Sequence, residues 1–361
     1  MLITRDPIPV VIFWDQQCNP EKSLLAKIFF TYILMSSERV ATCTHKKDRI
    51  AMAVEKRDYI IPSVHLAEVY FSRYKEQGYL ASKVEHIVQD GFYRSIELPP
   101  IESKADRKRI ESAFRVERCR VGNVIVWSGL YADEHGLDIN ATDEKVRLKS
   151  VSALKTLIEQ AAECGAGNFG VISGRDTGIL EKSDAFRALI KSLTELTEFA
   201  KQYRQNLIFE PVEKFSGRRA LLGNTEETLQ LLQILKPELP SLYCCYDTSH
   251  AALNRELLNE ALVNMQSFIG NIHLSNAVLD LHDPLYGDRH LRPGLPGFLT
   301  ARKAEKLLMR AYELGLNLKN GLIVCTELRQ ETSCPPDQEE QAFITATDFL
   351  KQVMLEFNLD V

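Results

Sequence analysis

Nowhere in this sequence is there an apolar run of about twenty residues, the length that crosses a bilayer as a helix. The longest apolar stretch, residues 24–35, is shorter and contains Lys27, so no membrane span is expected. A cleaved secretion signal is not expected either, because Asp6, Asp15 and Glu21 stand where a basic leader would be. A basic excess is also missing. Lysine and arginine number 44 against 49 acidic residues, and the net charge of −5 gives no global attraction to a polyanion, so a nucleic-acid partner is not expected without a local basic groove. The 8 cysteines include no CxxC pair and no short disulfide framework, which fits a reduced, cytoplasmic protein. No GxGxxG loop follows a first strand, which argues against a Rossmann dinucleotide site.

What is present is a globular composition, 45% apolar and 26% charged, over 361 residues. That length admits two domains of about 150 residues or one α/β barrel of about 250 or more. From about residue 90 onward, short β-rich runs at 93–98, 123–127, 168–173, 207–210, 242–247, 269–274 and 321–327 alternate with helical patterns. The runs are nearly continuous in apolar residues, as expected for parallel strands buried on both faces. Val151, Leu154, Ile158 and Ala162 mark a helix that opens at Thr142, Asp143 and Glu144 and stops at Gly165. Asn224 with Glu227 opens a second helix, and Thr300 opens a third that closes at Gly315. Residues 59–64 supply the eighth strand that closure of a (β/α)8 barrel requires, followed by helical material around 84–88. The pattern alone leaves a doubly wound sheet open, but the barrel is favoured. Residues 1–57 show no clean period and are expected to be an N-terminal extension to a barrel spanning 58–361.

Barrel chemistry sits at the C-terminal ends of the strands, so the polar residue ending each apolar run is informative. Ile208-Phe209-Glu210 ends in a carboxylate, and Tyr246-Asp247 ends in another with His250 three residues on. Ile272-His273 ends in an imidazole, and Val324-Cys325-Thr326-Glu327 in a further carboxylate. Four consecutive strands thus aim oxygen and nitrogen donors at one mouth. Such a set suits Mn²⁺, Co²⁺, Zn²⁺ or Mg²⁺, and without a cation the acids would repel one another.

This ligand order resembles the xylose isomerase-like TIM barrels, a superfamily of sugar and sugar-phosphate isomerases and epimerases, inosose dehydratases and endonuclease IV. The resemblance covers about residues 80–350 and includes Gly91-Phe92-Tyr93-Arg94-Ser95-Ile96-Glu97-Leu98 and Asn140-Ala141-Thr142-Asp143-Glu144-Lys145-Val146-Arg147. It implies that Glu210, Asp247, His273 and Glu327 hold one divalent metal. It also implies that Glu210 and Glu327 exchange protons with a sugar carbon, and that His250 contacts a substrate hydroxyl or a second metal.

The triplet Asp288-Arg289-His290 is similar to one that endonuclease IV uses for an additional zinc. However, the histidines which that family carries at its third and fourth strands are replaced by Trp127-Ser128 and Ser173-Gly174, and His135 falls in a loop. A phosphodiesterase therefore stands second to a sugar isomerase or epimerase, beside an inosose-type dehydratase. Asp288 and His290 are left for a second metal or for substrate, and Arg289 and Arg292 for a phosphate or carboxylate on the substrate. Trp127 is expected to stack on a sugar ring or simply to pack in the barrel. Glu97 is expected to orient a sugar hydroxyl or to pair with a loop cation. The prolines and glycines between 284 and 297 suggest a shaped lid over the mouth. A small carbohydrate is the expected partner, and barrels of this group often pair as homo-oligomers.

Overall fold

The computed structural model describes residues 54–117, 119–331 and 334–359, so that nearly all of the expected N-terminal extension, residues 1–57, lies outside the described residues. Eight parallel strands form a closed barrel: β1 (Ile60–His65), β2 (Ser95–Leu98), β3 (Asn123–Trp127), β4 (Asn168–Ile172), β5 (Asn206–Glu210), β6 (Leu242–Asp247), β7 (Ile269–Val278) and β9 (Leu322–Glu327). The closure is made by β9, which pairs in parallel with β7 on one side and β1 on the other. Strand β8 (Gly287–Leu291) is not part of the barrel; it pairs antiparallel with the extended end of β7. The expected lid is therefore a β-hairpin arm, because β7 runs on to Val278 rather than stopping near residue 274.

A helix follows each barrel strand and packs outside it. The helix Glu144–Glu163 starts where Asp143 accepts hydrogen bonds from the Lys145 and Val146 amides, and its end is followed by Gly165 at φ 79°. Asn224 caps Thr225–Leu235 through the Glu227 amide, and Thr300 caps Ala301–Glu313 through the Lys303 amide. The main apolar core fills the layer between strands and helices. A smaller cluster of Ile125, Trp127, Ile208 and Cys245 marks the inward face of the barrel. Because side chains alternate along a strand, Glu210 shares that inward face with Ile208, and Asp247 with Cys245. Gly170 faces the same interior: a Cβ there would lie 2.0 Å from the Trp127 ring, so the absent side chain makes room for the indole. Among the described residues no helix is long and apolar enough to cross a membrane. The six described cysteines form no disulfide.

Candidate active site

Strand ends β5, β6, β7 and β9 bring Glu210, Asp247, His273 and Glu327 together, one donor atom from each lying within 4.8 Å of the others. All four side chains are buried. His273 Nδ1 stands 3.1 Å from Glu327 Oε2 and 3.5 Å from Glu210 Oε1. Glu210 Oε1 and Asp247 Oδ2 are buried without any hydrogen-bond partner. Burial, and then the charges of Glu327 and Glu210, push the Asp247 carboxyl up to about 7. Burial also opposes the charge on Glu327, but His290 and His273 beside it outweigh that and hold its carboxyl well below the usual range. Converging, partly orphaned carboxylate oxygens with an imidazole among them make a donor set that fits a divalent cation.

Glu97 differs from expectation. It is 0% exposed and meets neither a loop cation nor the open mouth. Its carboxylate accepts from Ser63 Oγ at 2.8 Å, from His273 Nε2 at 2.9 Å and from the Trp127 indole N–H. The pairing register explains the change. Glu97 is level with Ile125, one inward-facing position below Trp127, and so lies under the mouth rather than at it. With Nε2 directed to Glu97, Nδ1 is the nitrogen that His273 presents to the carboxylates. Trp127 takes the packing role: it is 5% exposed, its ring meets His273 edge-on with centroids 5.0 Å apart, and one side borders a small cavity at the quartet.

Beside the quartet lies a second group, His250, Asp288 and His290, whose donor atoms also fall within 4.8 Å. His250 is set by the turn after β6, where its own amide donates to Asp247 Oδ1 at 2.8 Å. Its Nδ1 lies 3.0 Å from Glu213. Although burial opposes it, Asp288, Asp247 and Glu213 push His250 up to about 10. The β8 arm delivers Asp288 and His290, with His290 Nε2 at 2.9 Å from Asp288 and Nδ1 at 3.0 Å from Glu68. His290 is held at φ 46°, a left-handed conformation that a side chain disfavours. Arg329 grips Glu68 through two bonds of 2.6 and 2.9 Å. Arg289 and Arg292, expected near the substrate, are exposed and line a separate large cavity rather than the quartet. His135 is exposed and stacks on Tyr131.

Glu68, Glu213, Arg329 and His65 belong to this site and were not singled out from the sequence. His65 ends β1 and is buried, with its ring 6.4 Å from that of His273. The others lie just beyond a strand: Glu213 three residues after Glu210, Arg329 two after Glu327, and Glu68 three after the end of β1. That offset is the signal that was available.

The sequence profile of the family described as xylose isomerase-like TIM barrel matches residues 87–352. The chain belongs to the xylose isomerase-like TIM barrel family. No curated protein matches the sequence. Among solved structures, a D-tagatose 3-epimerase-like protein superposes with a TM-score of 0.62 at 18% identity, over 83% of this chain and 98% of that one. D-psicose 3-epimerase with D-tagatose, from Clostridium cellulolyticum H10, gives 0.61 at 14% identity over 81% and 99%. The IOLI protein with a bound zinc atom gives 0.61 at 15% identity over 82% and 98%. At these identities the likeness establishes the shared xylose isomerase-like fold.

Proposed function

We propose that this chain is a divalent-metal-dependent isomerase or epimerase of a sugar, sugar phosphate or related polyol ketone, moving a proton at the carbon beside a carbonyl. The observation that carries the reading is the buried quartet of Glu210, Asp247, His273 and Glu327, with two of its carboxylate oxygens lacking any partner. Its donors suit Mn²⁺, Co²⁺, Zn²⁺ or Mg²⁺. The fold shared with sugar epimerases and a zinc-carrying barrel supports the same reading. A cation held by these four residues would polarise a substrate carbonyl and its neighbouring hydroxyl, acidifying the carbon between them.

The chain's own groups then divide the work. Glu327, held ionised by His290 and His273 against the cost of burial, is the base that takes the proton. Glu210 is the partner carboxylate that returns a proton to the opposite face. His250, turned by Nδ1 toward Glu213, has Nε2 left for a substrate hydroxyl. Glu97 and Trp127 hold His273 from below, and the closely packed residues around the quartet keep bulk water from the transferring proton.

The test is metal content followed by solvent exchange. Purified chain is expected to carry a divalent ion and to incorporate deuterium from heavy water into a ketose at the carbon beside its carbonyl. Glu210→Gln and Glu327→Gln are each expected to slow that exchange by roughly 10²-fold or more. Metal-free protein whose cation affinity is unchanged by both substitutions would sink the reading. Elimination of water from an inosose by the same carboxylates would instead mark a dehydratase. The His250, Asp288 and His290 group favours a second reading as a metal-dependent phosphodiesterase. Three ions per chain together with cleavage of abasic-site DNA would move the assignment there.

A further inference from the structure

Beyond the buried quartet the mouth opens in stages. The small cavity at the quartet shares Leu130, Ile172 and Arg218 with a neighbouring cavity of 580 Å³. That one in turn shares Arg175, Gly217, Asp288 and Arg329 with a third, of 1180 Å³. The third space is lined by five arginines: Arg175, Arg219, Arg289, Arg292 and Arg329. Arg329 is committed to Glu68. The other four are exposed, and none has a side-chain hydrogen bond or ion pair among the described residues. The acids of the same lining are Asp288, which is engaged by His290, and Glu331. Four unpaired guanidiniums thus face at most one unpaired carboxylate.

We propose that this cavity is a phosphate subsite and that the substrate of the reaction described above is a phosphate-bearing sugar rather than a free one; the substrate half of this inference rests on that functional reading. Charge matching points to the phosphate. A dianionic group with three acceptor oxygens can engage several guanidinium forks at once, which a single carboxylate or a neutral hydroxyl cannot. The arginines come from three separate segments: the loop after β4, the loop after β5, and the β8 arm with its continuation. Independent loops have no need to bring like charges to one space unless an anion offsets their repulsion. Arg219 is moreover held at φ 51° in a turn closed by its amide on Ser216, a strained backbone placing a charged side chain at the cavity. The combined space also exceeds what an unsubstituted monosaccharide would fill, given that cavities of roughly 300–1,000 Å³ hold drug-sized ligands.

The test uses metal-loaded full-length chain and calorimetric binding of D-fructose 6-phosphate, D-fructose and inorganic phosphate. The phosphate ester is expected to bind at least tenfold more tightly than the free ketose, with inorganic phosphate competing against the ester. The double variants Arg289→Gln/Arg292→Gln and Arg175→Gln/Arg219→Gln are each expected to weaken the ester and inorganic phosphate at least tenfold, leaving D-fructose unchanged. Equal affinity for ester and free ketose, or indifference of phosphate binding to these arginines, overturns the subsite. So does preferential, arginine-dependent binding of an oligonucleotide. Deuterium exchange separates the two readings. Arginine-dependent phosphate binding with no exchange into any ketose leaves the subsite and removes the isomerase. Exchange into free ketoses with inert arginine variants does the reverse.

Discussion

Glu97 shows how one residue's chemistry depends on the position it occupies. Fully buried, it accepts from Ser63, Trp127 and His273, and so selects which nitrogen of His273 faces the carboxylates of the quartet. Glu97→Gln keeps the volume but brings an amide that cannot accept from all three donors. Divalent-cation affinity measured by calorimetry is expected to fall roughly 10–100-fold while unfolding stays cooperative; unchanged affinity would mean that the pair does not orient the imidazole. Gly170 is the second such residue, since a methyl there would meet the Trp127 ring at 2.0 Å. Gly170→Ala is expected to cost about 1–3 kcal/mol in urea unfolding through overpacking, and a neutral result would mean that the indole has room to move. The quartet itself was legible in the sequence because a charged residue closing an apolar run is conspicuous. Glu97 was misjudged because whether it lies at the mouth or below it depends on strand stagger.

At the scale of elements, the β8 arm departs most from a plain barrel. Prolines and glycines between 284 and 297 suggested an irregular lid, but the extension of β7 gives the segment a partner strand, and a period too short to see in five residues becomes a hairpin. One buried side chain secures its return. Asn276 donates to the Arg292 and Gly294 carbonyls at 2.7 and 2.8 Å and accepts from the Leu299 amide at 2.7 Å. Asn276→Ala would strand three backbone groups, at a cost of roughly 2–4 kcal/mol. Amide exchange is expected to quicken between residues 287 and 299, with the barrel strands largely unaffected. Acceleration spread evenly over the molecule would show instead that the arm and barrel open together. Because the arm carries Asp288 and His290, the same substitution should also disturb the second donor group.

For the whole molecule, the buried charges couple stability to pH. Burial and neighbouring carboxylates raise Asp247 from 3.8 to about 7, so the folded chain holds a proton that the unfolded chain has already lost. In chelator-treated protein that contribution to stability fades as pH rises from about 4 to about 7. His250, raised from 6.5 to about 10 by Asp288, Asp247 and Glu213 in spite of burial, contributes stability that is full below 6.5 and lost toward 10. Both signs agree, so the melting temperature of chelated protein should fall between pH 5 and 9. A divalent cation should restore it most strongly at the upper end, with proton release on binding. A chelated protein that gains stability over that range would contradict the cluster's electrostatics. The alternating βα units, the helix starts near residues 142–144, 224 and 300, and the four strand-end donors can be read from residue order alone, because period, capping and strand termination are local properties. Folding is what sets Glu97 under His273, packs Trp127 in the barrel, and brings Glu68, Glu213 and Arg329 to the site. It also brings arginines from three separate segments to one cavity. Those outcomes rest on register, closure and loop return, which bring together residues up to about 260 positions apart, a separation over which no sequence period can speak.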